Sequence, residues 1–300
     1  MRKHTVSIIV SDLETHLGLP RLLQSISRQS DGLDRTEIVV AGNGGHAPSD
    51  QDLWRAITGL DAIRLEAFDA DVTPSRARNL AASRTLGDLL MFVRPDYRLD
   101  PKYLTTVDAV FEDHPETGIM YADYIRLAPD RNRALGPSMV QLPPYRDGLL
   151  QARGFLGPGV LITREAFDRT NGFRDNTFYR DWDLWVQAAL AGSQFHHVSY
   201  PLASCEHHKP SFRERAEDGR CKAILVINNQ QFFHEHTVRW ALAHLRGEAW
   251  AASFGFMSIP GPLDVTHMLH DHALRAMGAD TLADEAIRRF RHAAINSGPF

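Results

Sequence analysis

The sequence predicts an α/β fold with a doubly wound, mainly parallel sheet and a helical extension at its C-terminus. Strand-like and helix-like segments alternate along the first third of the 300 residues, as expected for parallel strands joined by crossover helices. The first strand-like runs are apolar without polar alternation, which is typical of strands buried on both faces. From about Ser211 onward, helical patterns follow one another without intervening strands.

Four mostly apolar runs are the predicted strands of the parallel sheet. They are Val6–Val10, residues 37–41, Ile63–Phe68 and Leu89–Val93. The predicted helices between them carry start and stop signals. Pro20 suits a first helical turn. Thr73 and Pro74 are typical of an N-cap followed by proline, and Gly87 lies where that helix should end. A further helix is predicted to start at Asp100.

The later part of the chain departs from this regular alternation. Residues 128–148 are rich in Pro, Arg and Asp and predict an excursion from the core. Beyond them, a strand is predicted at 160–162 and a helix at 181–191, followed by helices within 211–247 and 263–294. We therefore expect an α/β domain over residues 1–212 and a helical extension over residues 213–300.

Charge and cysteine content exclude several classes of function. The formal net charge of -4 gives no electrostatic reason to expect a nucleic-acid partner. Cys205 and Cys221 are too few for a disulfide framework, so a reducing cytoplasm is the expected compartment. No apolar stretch reaches the roughly 20 residues that cross a bilayer, which excludes an integral membrane protein and leaves peripheral membrane association open.

Polar residues follow three of the predicted strands. They are Ser11, Asp12 and Glu14 after the first, Gly42 to Gly45 after the second, and Arg94 to Asp96 after the fourth. In an open parallel sheet, ligands bind beyond the carboxyl ends of the strands. Each residue alone is most simply an ordinary turn residue, but their recurrence after three strands favours a ligand site.

Several short motifs occur in a fixed order along the chain. They are Val6-Ser7-Ile8-Ile9-Val10, Glu37-Ile38-Val39-Val40, Ala77-Arg78-Asn79, Gly87-Asp88-Leu89-Leu90-Met91-Phe92, Gly172-Phe173 and Asp181-Trp182-Asp183-Leu184-Trp185. Over about residues 5–212, their order and spacing resemble family 2 inverting glycosyltransferases of the GT-A fold. The resemblance implies a GT-A-type, Rossmann-like sheet and an enzyme that transfers sugars.

The resemblance implies a nucleoside diphosphate sugar as donor, most often a UDP-sugar. By motif position, Ser11, Asp12 and Glu14 fall where the family's first loop meets the nucleoside. Asn43 falls where the second loop reads the base, and an amide can bond both a donor and an acceptor on a pyrimidine edge. Arg78 falls on the family's basic residue near the base and phosphates, where a guanidinium fork matches phosphate oxygens. A solvated helix charge is the alternative for Arg78.

The resemblance also implies a divalent metal, Mn²⁺ or Mg²⁺, on the donor diphosphate, but one motif departs from the family. The chain has Arg94-Pro95-Asp96 where the family has two carboxylates in an Asp-x-Asp motif. Asp96 falls where a residue is expected to face the metal, and His208 resembles the histidine of a later family motif that approaches the metal or diphosphate. Arg94 is a candidate to pair with a phosphate or to lock the loop, and loss of activity is a further alternative.

Asp181 falls on the family's catalytic aspartate, the base that takes the acceptor's proton as the acceptor attacks opposite the diphosphate. It lies at the start of a predicted helix, where the helix dipole favours negative charge, and an N-cap role is compatible with this position. Arg180 precedes it where the family usually has an acid, which bears on the base or on the acceptor. Asp183, two residues on, is predicted to be structural.

Two positions are the predicted acceptor contacts. Gly157 lies within residues 154–159, which resemble the family's loop under the acceptor and whose glycines allow close backbone approach. A tight connection before the next strand is the alternative. Trp182 is predicted to stack on an acceptor sugar. The acceptor is a glycan, a lipid-linked molecule or a small molecule.

The C-terminal third carries weaker signals. The histidines at 234–236 and 267–272 are interpreted as solvated helix faces rather than metal sites, because no matching second cluster accompanies them. Its apolar residues are compatible with burial against the catalytic domain, a homodimer through the helices or recruitment of a partner. The basic residues near 209–220 are compatible with a peripheral membrane contact.

The sequence thus predicts an inverting glycosyltransferase with Asp181 as base. A sugar-nucleotide-binding relative without catalysis is the first alternative, because Arg94 and Arg180 replace acidic residues of the family. A nucleotidyltransferase is the second. Such enzymes carry a Gly-rich basic loop after the first strand, and residues 11–19 have none.

Overall fold

A computed structural model of the chain describes residues 4–13, 18–43, 59, 63–69, 71–127, 136–206 and 210–276. It divides the chain into two units, Met1–Ser211 and Phe212–Phe300. In the described residues, the first unit combines a sheet with helices, and the second consists of helices.

The parallel half of the sheet consists of the four predicted strands. They are β1 (Val6–Val10), β2 (Thr36–Asn43), β3 (Ile63–Phe68) and β4 (Leu89–Val93). Val10 lies opposite both Val40 and Val93, so the carboxyl ends of β1 and β4 are side by side. All five residues of β1 and all five of β4 are buried, which explains their unbroken runs.

The other strands of the described residues form a mixed half of the same sheet. They are β5 (Tyr97–Leu99), β6 (Thr117–Leu127), β7 (Ser138–Val140), β8 (Leu161–Thr163) and β9 (Gln194–Glu206). The strand order is β3-β2-β1-β4-β8-β6-β9-β5, with β7 paired to β6. β8 is antiparallel to both of its neighbours, whereas β6 and β9 pair in parallel over most of their length. The predicted α/β class with a mainly parallel sheet is confirmed.

Helices of the first unit connect and cover these strands. They are α1 (Leu19–Ser27), α2 (Pro74–Ser83), α3 (Tyr103–Asp113), α4 (Asp147–Ala152), α5 (Arg164–Asp168) and α6 (Arg180–Leu190), with a 3-10 turn at Leu33–Arg35. α2 begins as predicted, because Thr73 Oγ1 accepts a hydrogen bond from the Arg76 N–H at 3.2 Å and Pro74 occupies the first turn. This cap fixes where α2 starts and hence which residues it turns towards the sheet.

The sequence patterns do not predict β6 and β9, strands of 11 and 13 residues. β9 mixes His196, His197 and Pro201 with apolar residues, and most of its residues are only partly buried. It therefore shows neither an apolar run nor a clean alternation. The excursion expected at residues 128–148 is partly wrong, because β7 within it pairs with β6 and α4 begins at its end. Residues 128–135 lie outside the described residues.

The described part of the second unit is helical, as predicted for the C-terminal extension. Its described part contains α7 (Phe212–Asn228), α8 (Glu235–Leu245) and α9 (Pro262–Ala276), with a 3-10 turn at Gln230–Phe232. Lys222 on α7 is fully buried, contacts the Asp218 carboxylate at 2.5 Å and donates to the Gly255 carbonyl at 2.6 Å. Burial lowers the pKa of Lys222 despite the opposing charge of Asp218. The predicted helix beyond residue 276 lies outside the described residues.

Length and apolarity of the helices bear on membrane insertion. Of the helices that the structure describes, none is both long enough and apolar enough to cross a bilayer.

Candidate active site

Two loops meet at the carboxyl edge of the parallel strands. Ser11 and Asp12 follow β1, and Arg94 and Asp96 follow β4. The Ser11 N–H donates to the Val93 carbonyl at 3.0 Å, which joins the two loops at their base. Asp12 has a φ of 56°, a left-handed conformation that costs a residue other than glycine about 1–3 kcal/mol. The contacts of its carboxylate offset this cost.

Arg78 on α2 is the centre of a polar cluster at this edge. Its Nε donates to Ser11 Oγ at 2.7 Å, its Nη1 donates to Asp181 Oδ1 at 2.6 Å, and its Nη2 donates to Asp12. The side chain is only 4% exposed, and its Cζ lies 4.9 Å from the centre of the Phe173 ring. Arg78 thereby joins the loop after β1 to the first turn of α6.

Burial and charge act against each other in this cluster, and charge wins. Burial on its own would raise the pKa of Asp12. The guanidinium groups of Arg78, Arg180 and Arg94 outweigh burial and hold the pKa of Asp12 below its ordinary value. Burial likewise disfavours the charged form of Arg78, but the carboxylates of Asp181 and Asp12 outweigh it and raise the pKa of Arg78. Arg78 and Asp12 are therefore both charged near neutral pH.

A pair of hydrogen bonds fixes α2 to the segment that precedes α6. Asn79 Nδ2 donates to the Phe173 carbonyl, and Asn79 Oδ1 accepts from the Phe173 N–H, each at 2.9 Å. Gly172 has a φ of 64°, and a Cβ there would lie 2.6 Å from Asn79 Oδ1. Both conformation and space therefore require glycine at 172. The motifs at residues 77–79 and 172–173, separate in sequence, form one unit that directs Arg78 towards Asp181.

Asp181 lies in the first turn of α6 and is accessible to solvent. The N-cap of α6 is Tyr179, so Asp181 is the second helical residue and the N-cap interpretation is wrong. Its side chain is 51% exposed. Asp183 is fully buried, and its carboxylate accepts from Arg174 at 3.1 Å and from Gln187 at 2.8 Å, which agrees with a structural role. Of these two aspartates, Asp181 is the one that a ligand can reach.

Arg180 connects the start of α6 to the loop after β1. Its Nη1 donates to Asp12 Oδ1 at 3.1 Å, and its side chain is 26% exposed. Asp12 therefore bridges Arg180 and Arg78. The sequence suggests an influence of Arg180 on the neighbouring Asp181, whereas the carboxylate that Arg180 contacts in the structure is Asp12.

Arg94 is more exposed than the other arginines of the cluster, at 40% of its side chain. Its Nη2 donates to Asp96 Oδ2 at 3.0 Å, and its Cζ lies 5.2 Å from the centre of the Tyr97 ring. Its Nε is buried and has no hydrogen-bond partner. Arg94 has a raised pKa, and the groups that raise it are, in order, Tyr97, Asp96, Asp181 and Asp12. The loop after β4 therefore shares one electrostatic environment with the Arg78 cluster.

The described residues do not fit a divalent metal held by the protein. No three of their His, Cys, Asp or Glu side chains are grouped so that they could share an ion. The Asp96 carboxylate, a predicted ligand, already contacts Arg94 at 3.0 Å. A cation bound there would face the guanidinium at close range, and like unit charges about 4 Å apart repel by about 4 kcal/mol near a protein surface. His208, the second predicted ligand, lies outside the described residues.

The two predicted acceptor contacts differ in accessibility. Gly157 is exposed, with a φ of 74°. Trp182 is only 3% exposed, and its indole N–H donates to the Leu150 carbonyl at 2.7 Å. Its ring packs so closely on Gly154 that a Cβ there would lie 2.9 Å from Trp182 Cγ. Little of the Trp182 ring is left for a sugar to stack on, so this residue belongs to the packing beneath the site.

The structure brings six of the predicted site residues to one edge of the sheet: Ser11, Asp12, Arg78, Arg94, Asp96 and Asp181. Glu14 lies outside the described residues, as does the side chain of Asn43, whose backbone ends β2. Phe173 and Tyr97, the rings beside Arg78 and Arg94, were not predicted as site residues. The available signals were that Phe173 belongs to a recognised motif and that Tyr97 directly follows Asp96.

Comparison with known proteins identifies the fold. No protein-family model and no curated protein matches the chain. The structure of S. aureus TarS 1-349 in complex with UDP-GlcNAc matches with a TM-score of 0.54 at 18% identity, over 83% of this chain and 73% of that one. Mannosyltransferase PcManGT from Pyrobaculum calidifontis, in complex with GDP-Man and Mn²⁺, matches with a TM-score of 0.54 at 17% identity, over 97% and 81%. The chain therefore has the GT-A-like fold of these nucleotide-sugar-binding proteins.

Proposed function

We propose that the protein is an inverting glycosyltransferase that moves a sugar from a nucleoside diphosphate sugar, most simply a UDP-sugar, to an acceptor hydroxyl or amine. The observation that carries this proposal is the cluster in which Arg78 joins Asp12 to Asp181 at the carboxyl edge of a GT-A-like sheet. Open α/β sheets bind ligands at this edge. TarS and PcManGT, which share the fold, bind UDP-GlcNAc and GDP-Man, respectively.

The donor is proposed to lie across the loops after β1 and β4. Asp12 offers a carboxylate to the nucleoside, and Ser11, only 1% exposed, supports the site through its hydrogen bond with Arg78. Asn43 at the end of β2 is proposed to read the base. Arg94 presents its guanidinium group to the phosphates, where charge-assisted hydrogen bonds are strong, and Arg78, only 4% exposed, contributes positive charge from within the cluster.

Asp181 is proposed as the base of a single displacement. The acceptor oxygen or nitrogen attacks the anomeric carbon from the side opposite the diphosphate and forms the new bond. The bond from that carbon to the diphosphate oxygen breaks, its electron pair leaves with the nucleoside diphosphate, and the acceptor proton passes to Asp181. The contact with Arg78 at 2.6 Å fixes the direction of this carboxylate, and its 51% exposure allows an acceptor to approach.

The acceptor is proposed to reach Asp181 along residues 154–159. Gly154 packs against Trp182, the residue after Asp181, so this segment borders the base. Gly157 is exposed there and offers its backbone to a ligand. A glycan, a lipid-linked molecule or a small molecule would each supply the hydroxyl or amine that the reaction needs.

The predicted Mn²⁺ or Mg²⁺ site on Asp96 and His208 is not part of this proposal. PcManGT is in complex with both GDP-Man and Mn²⁺, but no three His, Cys, Asp or Glu side chains among the described residues of this chain are grouped so that they could share an ion.

Turnover of an Asp181→Asn variant tests the proposal. Release of the nucleoside diphosphate from UDP-GlcNAc, GDP-Man and related donors is measured, and UDP and GDP binding is measured by calorimetry. We expect the variant to lose about a hundredfold or more in turnover, because a carboxamide cannot take the proton, while nucleotide affinity stays within about threefold. Asp168→Asn, an exposed aspartate at the end of α5, is the matched control and should behave as wild type.

Three results would contradict parts of this proposal. Wild-type turnover in Asp181→Asn would refute the base assignment. Retained configuration at the anomeric carbon of the product, measured by NMR, would refute the inverting displacement. Absence of both nucleotide binding and turnover in the wild-type protein would refute the function as a whole.

A sugar-nucleotide-binding protein without turnover is the second candidate, and one observation favours it. Arg94 and Arg180 stand where the family that the sequence resembles has acidic residues, and in the structure each is paired with a carboxylate at the site edge. Tight binding of UDP or GDP with no product release from any nucleotide sugar would favour this candidate.

A further inference from the structure

We infer that Arg94 supplies the positive charge that holds the donor diphosphate, so that nucleotide binding by this protein requires no divalent metal ion. The inference rests on the proposed function, since it concerns the diphosphate of the proposed donor. It adds that the cation at the diphosphate is a side chain of the chain itself.

Arg94 is placed where a ligand at the sheet edge would meet it. It directly follows β4, and the paired strands β1 and β4 bring it beside the loop of Asp12. Its side chain is 40% exposed, compared with 26% for Arg180 and 4% for Arg78. Of these three arginines, Arg94 is therefore the most accessible to a ligand that arrives from solvent, whereas Arg78 is buried.

The Arg94 guanidinium retains unused hydrogen-bonding capacity. A guanidinium carries five N–H donors. The contact with Asp96 uses Nη2, whereas Nε is buried without a hydrogen-bond partner. Buried N–H groups are almost always satisfied, so an orphaned one marks a position where a partner is missing. The Tyr97 ring, 5.2 Å from Arg94 Cζ, restricts the orientation of the group. A diphosphate, with several acceptor oxygens, matches such a fixed fork.

The pairing of charges around the edge also bears on whether a cation binds there. Each carboxylate of the cluster already contacts an arginine: Asp12 contacts Arg78 and Arg180, Asp181 contacts Arg78, and Asp96 contacts Arg94. A divalent cation bound to these carboxylates would lie close to their guanidinium partners, and like charges at such short range repel. A diphosphate instead meets Arg94, the most exposed of the three arginines, whose contact with Asp96 uses only one of its nitrogen atoms.

Calorimetry of UDP and GDP with the full chain tests this inference. Titrations are run with EDTA and, separately, with Mn²⁺, for wild type, Arg94→Ala and Arg169→Ala. Arg169 is a matched control because it is an exposed arginine of the same unit that contacts Glu165 at 3.4 Å, away from the cluster. We expect wild type to bind the preferred nucleotide in EDTA within about threefold of its affinity in Mn²⁺. Arg94→Ala should lower that affinity by about tenfold to a hundredfold, the effect of losing a charged hydrogen bond.

The monophosphate of the same nucleoside separates phosphate binding from a structural role. Arg94→Ala should weaken binding of the diphosphate much more than that of UMP or GMP, because only the diphosphate carries the second phosphate. Equal losses for both would show that Arg94 merely shapes the loop, and would overturn the inference.

The wild-type titrations give the remaining outcomes. Nucleotide binding that appears only with Mn²⁺ would overturn the inference and leave the proposed function standing. Failure of UDP and GDP to bind under either condition would instead overturn the proposed function itself.

Discussion

Replacement of Arg78 by methionine is expected to destabilise the first unit by about 2–4 kcal/mol. The side chain is buried and donates to Ser11, Asp12 and Asp181, so the variant loses three hydrogen bonds at once. Methionine was chosen because it fills most of the same space, which keeps the contribution of a cavity small.

The size of this destabilisation depends on which contacts Asp12 and Asp181 keep or regain when Arg78 is replaced. A hydrogen bond to a charged group contributes about 1.5–3 kcal/mol, and loss of one partner of a fully buried ion pair costs about 3–5 kcal/mol. Asp181 is 51% exposed and regains water, and Asp12 keeps its contact with Arg180 at 3.1 Å. The expected cost therefore lies below the sum of the separate contacts.

Hydrogen exchange of peptides from β1 and β4 measures this cost in the first unit alone. Arg76→Met is the control, because Arg76 lies on the same helix with an exposed side chain. The difference in opening free energy between Arg78→Met and wild type should become smaller in acid. The folded-state pKa of Asp12 is depressed, so its stabilisation is present above the ordinary value of 3.8 and is lost as pH falls through the folded pKa. Equal opening free energies for Arg78→Met and Arg76→Met would refute the reasoning.

Two further predictions concern particular atoms of the first unit. Gly172→Ala should destabilise the protein by at least about 1–3 kcal/mol, because Gly172 has a positive φ and the new Cβ would meet Asn79. Gly148→Ala in α4 should instead stabilise it by about 0.5–1 kcal/mol, since nothing lies near the new Cβ. Equal changes in the thermal unfolding of the two variants would contradict this. Burial, then the charge of Asp96, raises the pKa of Cys205 to about 11. In a Cys221→Ser background, alkylation by iodoacetamide between about pH 7 and 9 should be roughly a hundredfold slower than for a free cysteine and rise with pH. A rate like that of a free cysteine would contradict the burial of this thiol.

The parallel half of the fold was predictable because its strands are buried on both faces. β1 and β4 leave an unbroken apolar run in the sequence, and the predicted cap at Thr73 forms in the structure. β6 was missed although its first seven residues are buried. β9 was missed because it is only partly buried and carries histidines and a proline. Its strand conformation depends on pairing with β6, a tertiary contact that local patterns do not encode.

The site was predictable as a set of residues, but its contacts were not. Strand ends and motif positions indicate Asp12, Arg78 and Asp181. That the buried guanidinium of Arg78 joins the two aspartates depends on packing between positions 103 residues apart. Trp182 shows the same limit, because an aromatic residue beside a predicted base favours stacking, and only the close approach of Gly154 shows that the ring is buried.

The central claim is that a nucleoside diphosphate binds at the edge formed by the loops after β1 and β4. Hydrogen exchange with and without saturating UDP or GDP tests this claim most directly, because it locates the ligand without assuming turnover. The account predicts slower exchange in peptides that cover residues 11–13, 94–97 and 180–183. Protection confined to other parts of the chain, with these three segments unchanged by a bound nucleotide, would contradict it.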